Sequence, residues 1–259
     1  MKPDISEFSY GYAVTEELVA KHKAIVVGAP TFPSLYEEGK KGGGYDVKIP
    51  ILGNPVFLQF KLSDYLERTS AKEHQSGLLT VPFYRMHIRP LKHSCQHQLL
   101  LDLENSGESV FYIAPEFHRP VELNSLYLSS SVIANSAAFK PSDIGTLPSK
   151  DEHYVVFKKA SSHGFRCSED PRKVVRTSIR EGLRTALQQL EPRPIGRDDI
   201  VALSKKMLSA IEKRSEIDSN WAEIVDGASA RRIADERDPV ESIGYLALNF
   251  FGCELVIVR

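Results

Sequence analysis

Apolar and polar positions along the chain switch between two periods. In "AVTEELVAKHK", residues 13–23, Val14 and Leu18 recur at helical spacing and predict a short helix. "AIVVGAP", residues 24–30, reads as a strand. After "TFPSLYEEGKKGGG", residues 45–51 and 56–62 alternate with period two. Tyr45, Val47, Ile49, Leu58, Phe60 and Leu62 take one face, and Asp46, Lys48, Gln59 and Lys61 the other. Gly53-Asn54 between them is a two-residue turn signal, predicting a hairpin with Asp46 opposite Lys61 and Lys48 opposite Gln59. "LTVPFYRMHIRP" alternates again, setting Tyr84, Met86 and Ile88 against Arg85, His87 and Arg89. "HSCQHQLLLDLENSG" predicts a helix with a Leu99, Leu100, Leu103 stripe, ended by Gly107. "SVFYIAP" is a continuous apolar run that suits a buried strand.

Residues 120–150 are Ser- and Pro-rich and read as loop and short turns; "HYVVFKK" reads as a strand. The texture changes near residue 160. "DPRKVVRTSIREGLRTALQQLE" predicts a helix, with Pro171 in its first turn after an Asp170 cap. On it Arg172, Arg176, Arg180 and Arg184 recur every four residues, and Val175, Ile179 and Ala186 mark the buried side. "RDDIVALSKKMLSAIEKR" predicts a second amphipathic helix, and "SIGYLALNFFGCELVIVR" a closing hairpin around Gly252. The layout is a core at residues 1–160 and a helical elaboration at 161–259, either as two parts or as one continuous domain.

Charge narrows the picture. The 259 residues carry 33 Lys and Arg against 34 Asp and Glu, a formal net charge of −1. That balance excludes a uniformly basic nucleic-acid coat, so nucleic acid must be met by a local patch. Arg85 and Arg89 on one strand face, and the stripe through Arg172, Arg176 and Arg180, are the candidates. Three cysteines (Cys95, Cys167, Cys253) make no disulfide framework, the N-terminal stretch has no apolar signal core, and nothing approaches a membrane span. A reduced, cytoplasmic protein is expected. His93, Cys95 and His97 with His163 and Cys167 offer zinc donors, but their spacing matches no familiar zinc site.

The order of these elements carries a resemblance. An acid-bearing helix, "GYDV", "LQFK", a glutamine-bearing helix and "SVFYIAP" follow one another over roughly residues 10–117. The arrangement resembles the PD-(D/E)XK nuclease superfamily, in particular its Holliday-junction-resolvase and type IV restriction enzyme branch. The resemblance implies an α/β fold with a restriction-endonuclease-like αβββαβ core, here followed by C-terminal helices and a terminal hairpin. It implies metal-dependent cleavage of DNA, in restriction or phage defence, with Mg²⁺ or Mn²⁺ as cofactor. DNA is the implied partner, with a second copy or a partner defence protein alongside. Asp46 would hold the metal, since a hard divalent cation takes one or two carboxylates plus water and substrate phosphate. Lys61 would orient the attacking water and offset phosphate charge. A helix acid, Glu17 in preference to its neighbour Glu16, would complete the shell, and Gln96 falls in the Leu99 phase at the sheet-facing edge of its helix. Gln59 stands where most of the superfamily has Glu; its carbonyl can coordinate but brings no charge, which lowers metal affinity. The rival reading is a non-catalytic nucleic-acid-binding or assembly subunit with a nuclease-like fold.

Overall fold

The structure, a computed structural model, describes residues 1–21, 23, 54–90, 96–107, 109–148, 152–168, 170–178, 196–217, 235, 238–251 and 254–258. In chain order the elements are α1 (Glu7–Lys21), β1 (Asn54–Phe60), β2 (Ser63–Leu66), α2 (Lys72–Gln75), β3 (Phe83–Ile88), α3 (Gln96–Asn105), β4 (Ser109–Pro115), α4 (Pro120–Leu128), a 3₁₀ turn (Ile133–Asn135), β5 (Ser136–Phe139), α5 (Pro141–Ile144), β6 (His153–Phe157), β7 (His163–Cys167), β8 (Arg172–Val175), α6 (Arg197–Ile217), α7 (Pro239–Leu246), a π-helical turn (Ala247–Phe251) and β9 (Glu254–Val258). The protein is mixed α/β. It divides into two compact units: Met1–Lys21, Phe60–Ser94 and Phe111–Gly182 form the first, and His22–Gln59, Cys95–Val110 and Leu183–Arg259 the second.

The first unit is built on a five-stranded antiparallel sheet in the order β2-β3-β6-β7-β8. Alternation sets its core face. Tyr84, Met86 and Ile88 of β3 are buried, as are Val155 and Phe157 of β6 and Val174 of β8, whereas Arg85 is half-buried and His87 exposed. Gly164 of β7 is required by packing, because a Cβ there would lie 2.8 Å from the Val156 carbonyl oxygen. A second strand pair, β4 with β5, runs antiparallel from Tyr112↔Phe139 to Pro115↔Ser136. Helix α1 buries Tyr10, Val14 and Leu18, and the Tyr10 ring meets Phe60 and Phe117 edge-on. Ser6 starts this helix early: its hydroxyl accepts the Ser9 N–H at 2.9 Å, an N-cap upstream of the stretch at residues 13–23 that predicted the helix.

In the second unit β1 pairs antiparallel with β9, from Asn54↔Val258 to Leu58↔Glu254. Helix α6 packs on α3 and α7 through Leu203, Met207 and Ile211, with Leu99, Leu100, Leu103, Ile243 and Leu246 also buried. Asp238 caps α7 by accepting the Val240 N–H at 2.9 Å, with Pro239 in the first turn.

The expected strand at residues 83–88, helix at 96–105, strand at 109–115, strand at 153–157 and helix at 197–214 are present. Several other expectations are corrected. Asn54 is not a turn residue but the first residue of β1, opposite Val258. Residues 120–150 hold two helices and a strand rather than loop: Pro120 opens α4, and Glu122 accepts the His118 and Arg119 N–H groups in its first turn. The start of the helix expected from Pro171 is strand β8, because its Val174-Val175 pair joins the sheet beside β7, and residues 179–191 of that stretch lie outside the described residues. The closing hairpin is instead α7, a π-helical turn and a single strand, whose partner β1 comes from much earlier in the chain. The composition shift near residue 160 falls in the short connection between β6 and β7, adjacent strands of one sheet. The strand expected at residues 24–30, Asp46, Lys48, Arg180 and Arg184 lie outside the described residues.

Candidate functional site

Phe60, in the Gln59-Phe60-Lys61 stretch, packs toward α1, where a Cβ on Gly11 would come within 3.3 Å of its ring. Strand alternation puts the Gln59 side chain on the side away from Phe60, and Lys61 follows the end of the strand. Gln59 is buried and Lys61 half-buried, and the Lys61 N–H donates to the Ile113 carbonyl of β4 at 2.9 Å. Gln96 is the first residue of α3 and is half-buried.

Glu17 has another task. Its side chain is 2% exposed; Oε2 accepts the Ile133 N–H at 3.0 Å, and Oε1 pairs with Lys21. The carboxylate thus caps the first N–H of the 3₁₀ turn and neutralises its helix neighbour, which leaves it engaged within the fold of the first unit.

The basic candidates also separate. Arg85 is held by Glu73, with Nε to Oε1 at 3.1 Å, and its guanidinium lies 5.2 Å from the centroid of the Tyr154 ring. It lines a groove of about 990 Å³ with Arg68, Lys72, Glu73, Tyr154 and Cys167. Burial, reinforced by the Glu73 charge and opposed by Arg85, pushes the Cys167 thiol up to about 11, so at neutral pH it is neither a ready nucleophile nor a ready metal ligand. Arg89 is exposed just beyond β3.

Arg172 lies on strand β8 and Arg176 just after it, so these two do not stand on a helix. Arg176 turns inward and grips Glu116 with both arms, NH1 to Oε1 at 2.5 Å and NH2 to Oε2 at 2.9 Å. Its guanidinium also donates to the Ser161 and Ser136 carbonyls, and Glu116 accepts the Ala160 N–H. Glu116, buried, and Arg176, half-buried, are structural partners. Arg172 stays exposed, opposite Arg166 in the β7–β8 register. Nothing at sequence level singled out Glu116, Glu73 or Arg166; the alternation in "HGFRC" was the available sign of a strand that would carry Arg166 to an edge.

Among the described residues no group of three or more His, Cys, Asp or Glu is arranged to hold a metal ion. His97 is buried in α3 and Cys167 lies on β7, while His93 and Cys95 are outside the described residues. Among the described residues no helix is long and apolar enough to cross a membrane. Comparisons with protein-family models, with curated proteins and with solved structures return no match.

Proposed function

We propose that the chain is a metal-dependent endonuclease that hydrolyses DNA phosphodiester bonds on a restriction-endonuclease-like core, acting in restriction or phage defence. The observation that carries this reading is the end of β1. There Phe60 packs toward α1, Gln59 is buried on the strand and Lys61 follows half-buried, and period two would set the side chains of Gln59 and Lys61 away from Phe60. An ammonium one residue from an amide oxygen is suited to a phosphate and its attacking water. Among the described donors Gln59 offers only a neutral oxygen, so the charge that Mg²⁺ or Mn²⁺ needs would come from Asp46. When bound, the cation would polarise the phosphate and acidify water; Lys61 would hold that water and offset charge on the phosphate oxygens.

The test is cleavage of duplex, single-stranded, branched and modified DNA with Mg²⁺ or Mn²⁺. Asp46→Ala should abolish it, and Lys61→Ala should slow it roughly 10²–10³-fold, the range for a lost charge-stabilising donor. Both variants should melt like the wild type. A wild type that cleaves none of these substrates, with no Asp46-dependent metal binding in calorimetry, sinks the enzyme reading.

A second reading, a non-catalytic nucleic-acid-binding or assembly subunit, is favoured by one observation. Glu17, the helix acid expected at the metal, spends its carboxylate on Ile133 and Lys21.

A further inference from the structure

Strands β7 and β8 set two arginines directly opposite each other, Arg166 against Arg172. Period two puts both on the side of Gly164 and Val174, at the margin of the packed face. Like charges in this position repel. Arg166 nevertheless fixes its guanidinium there, donating from NH1 to the Ile144 and Thr146 carbonyls at 3.0 Å each. Between those carbonyls lies Gly145, at φ 75° and ψ −179°, a conformation reserved for glycine. The point a Cβ would occupy on Gly145 is 3.3 Å from Arg172 NH1 and 3.8 Å from Arg166 NH1. Two guanidinium ends therefore converge over one bare stretch of backbone.

Among the described residues no carboxylate answers them. Among the described residues neither arginine has an ion-pair partner; Asp143, on the adjoining α5, contacts neither. The Nε–H of Arg166 is buried and meets no acceptor among the described residues, and Arg172 makes no hydrogen bond among them. Burial and the Arg172 charge both lower the proton affinity of Arg166, as expected where two cations share one neighbourhood. The contrast with Arg176, saturated by Glu116, lies four residues away.

We propose that Arg166 and Arg172 form a two-guanidinium clamp for a phosphate group. A single guanidinium fork satisfies both oxygens of a carboxylate, whereas a tetrahedral phosphate can accept from two forks at once. Arg166 is pre-set by the Ile144 and Thr146 carbonyls, and Arg172 closes from the solvent side. The group recognised is the one a nucleic-acid strand and free phosphate share, and the clamp is independent of whether the chain cleaves DNA.

The experiment measures binding of a labelled oligonucleotide and of inorganic phosphate to the full chain. Arg172→Gln should weaken oligonucleotide binding on the order of tenfold and reduce the salt slope by about one unit. Inorganic phosphate should compete with the wild type and lose this effect in Arg172→Gln, and Arg172→Lys should recover part of the affinity. Arg166→Lys, which keeps the charge but loses the fork, should also weaken binding; because it disturbs the 144–146 connection, its melting is measured alongside. Loss confined to inorganic phosphate would assign the clamp to free phosphate rather than to a strand. A wild type that binds neither probe, or an Arg172→Gln variant that matches it on both, overturns the clamp. Cleavage assayed in parallel keeps the questions apart: a chain that binds both probes in an Arg172-dependent way yet cleaves no substrate fails the enzyme reading and leaves the clamp standing.

Discussion

Arg176 and Arg172 sit four residues apart on one segment and live in opposite surroundings. Arg176 is half-buried, bidentate to the buried Glu116 and bonded to two further carbonyls, in a knot that reaches Tyr10 through the Ser136 hydroxyl. Arg172 is exposed, faces another arginine and has no acid against it among the described residues. The first arrangement is what a fold does with a charge it draws inward: both terminal nitrogens of the guanidinium meet Glu116 and a backbone carbonyl. The second leaves like charges facing each other, and that points outward, to a ligand. Residue type and spacing are the same in both, so the partner across the sheet decides the role.

The largest expected effect tests the buried side of this contrast. Arg176→Ala leaves the carboxylate of Glu116, at 2% exposure, with no cation against it and only the Ala160 N–H as a donor, and should lower stability by about 3–5 kcal/mol. Glu116→Ala should cost a comparable amount, and the double variant well under the sum of the two, because they share one interaction. Urea denaturation reads all three. A loss below about 1 kcal/mol for Arg176→Ala would put this pair in the same class as ordinary surface ion pairs and erase the contrast.

The contrast was half legible in the sequence. A spacing of four is even, so Arg172 and Arg176 share a face under a strand period as well as lying close under a helical one. Only Val174-Val175 spoke for a strand, and the pairing that settles the matter comes from β7. Where the signal was local it held: Leu99, Leu100 and Leu103 mark the buried face of α3, and Tyr84, Met86 and Ile88 the buried face of β3. Elements defined by distant partners were not readable, β9 against β1 above all. The same limit applies to the candidate site. That Gln59 and Lys61 share a side follows from period two alone. The task of Glu17 depends on Ile133, 116 residues away, and no periodicity reports that.

Glu17 stands between the two arginine environments, and its removal should have an intermediate effect. It is a buried carboxylate with one backbone donor and a lysine partner that is 37% exposed. Glu17→Ala leaves the Ile133 N–H without its acceptor and should cost about 1–3 kcal/mol, read by the same denaturation. Glu17→Gln, which keeps an oxygen for that N–H, should cost less. The metal-ligand alternative has the reverse signature: Glu17→Gln would lose Mg²⁺ affinity in calorimetry and leave metal-free stability unchanged or raised. That outcome would return Glu17 to the candidate site.

The smallest expected effect has the opposite sign. Arg172→Gln removes one of two facing cations while breaking no hydrogen bond among the described residues. Cross-strand pairs are worth about 0.2–1 kcal/mol, and like charges directly opposite are unfavourable, so stability should rise by about a few tenths of a kcal/mol at low ionic strength. The pair lies at the margin of the sheet with Arg172 open to solvent, so salt should screen it. At about 1 M salt the Debye length is about 3 Å, and the gain should vanish. The loss in Arg176→Ala should persist at that concentration, because a buried pair is screened far less. Thermal melting of both variants across a salt series makes the comparison directly. An Arg172→Gln variant that loses more than about 1 kcal/mol would mean that Arg172 holds the sheet edge together. Both arginines would then be structural, and the repulsion that singles out the β7–β8 edge would have to be offset within the protein itself.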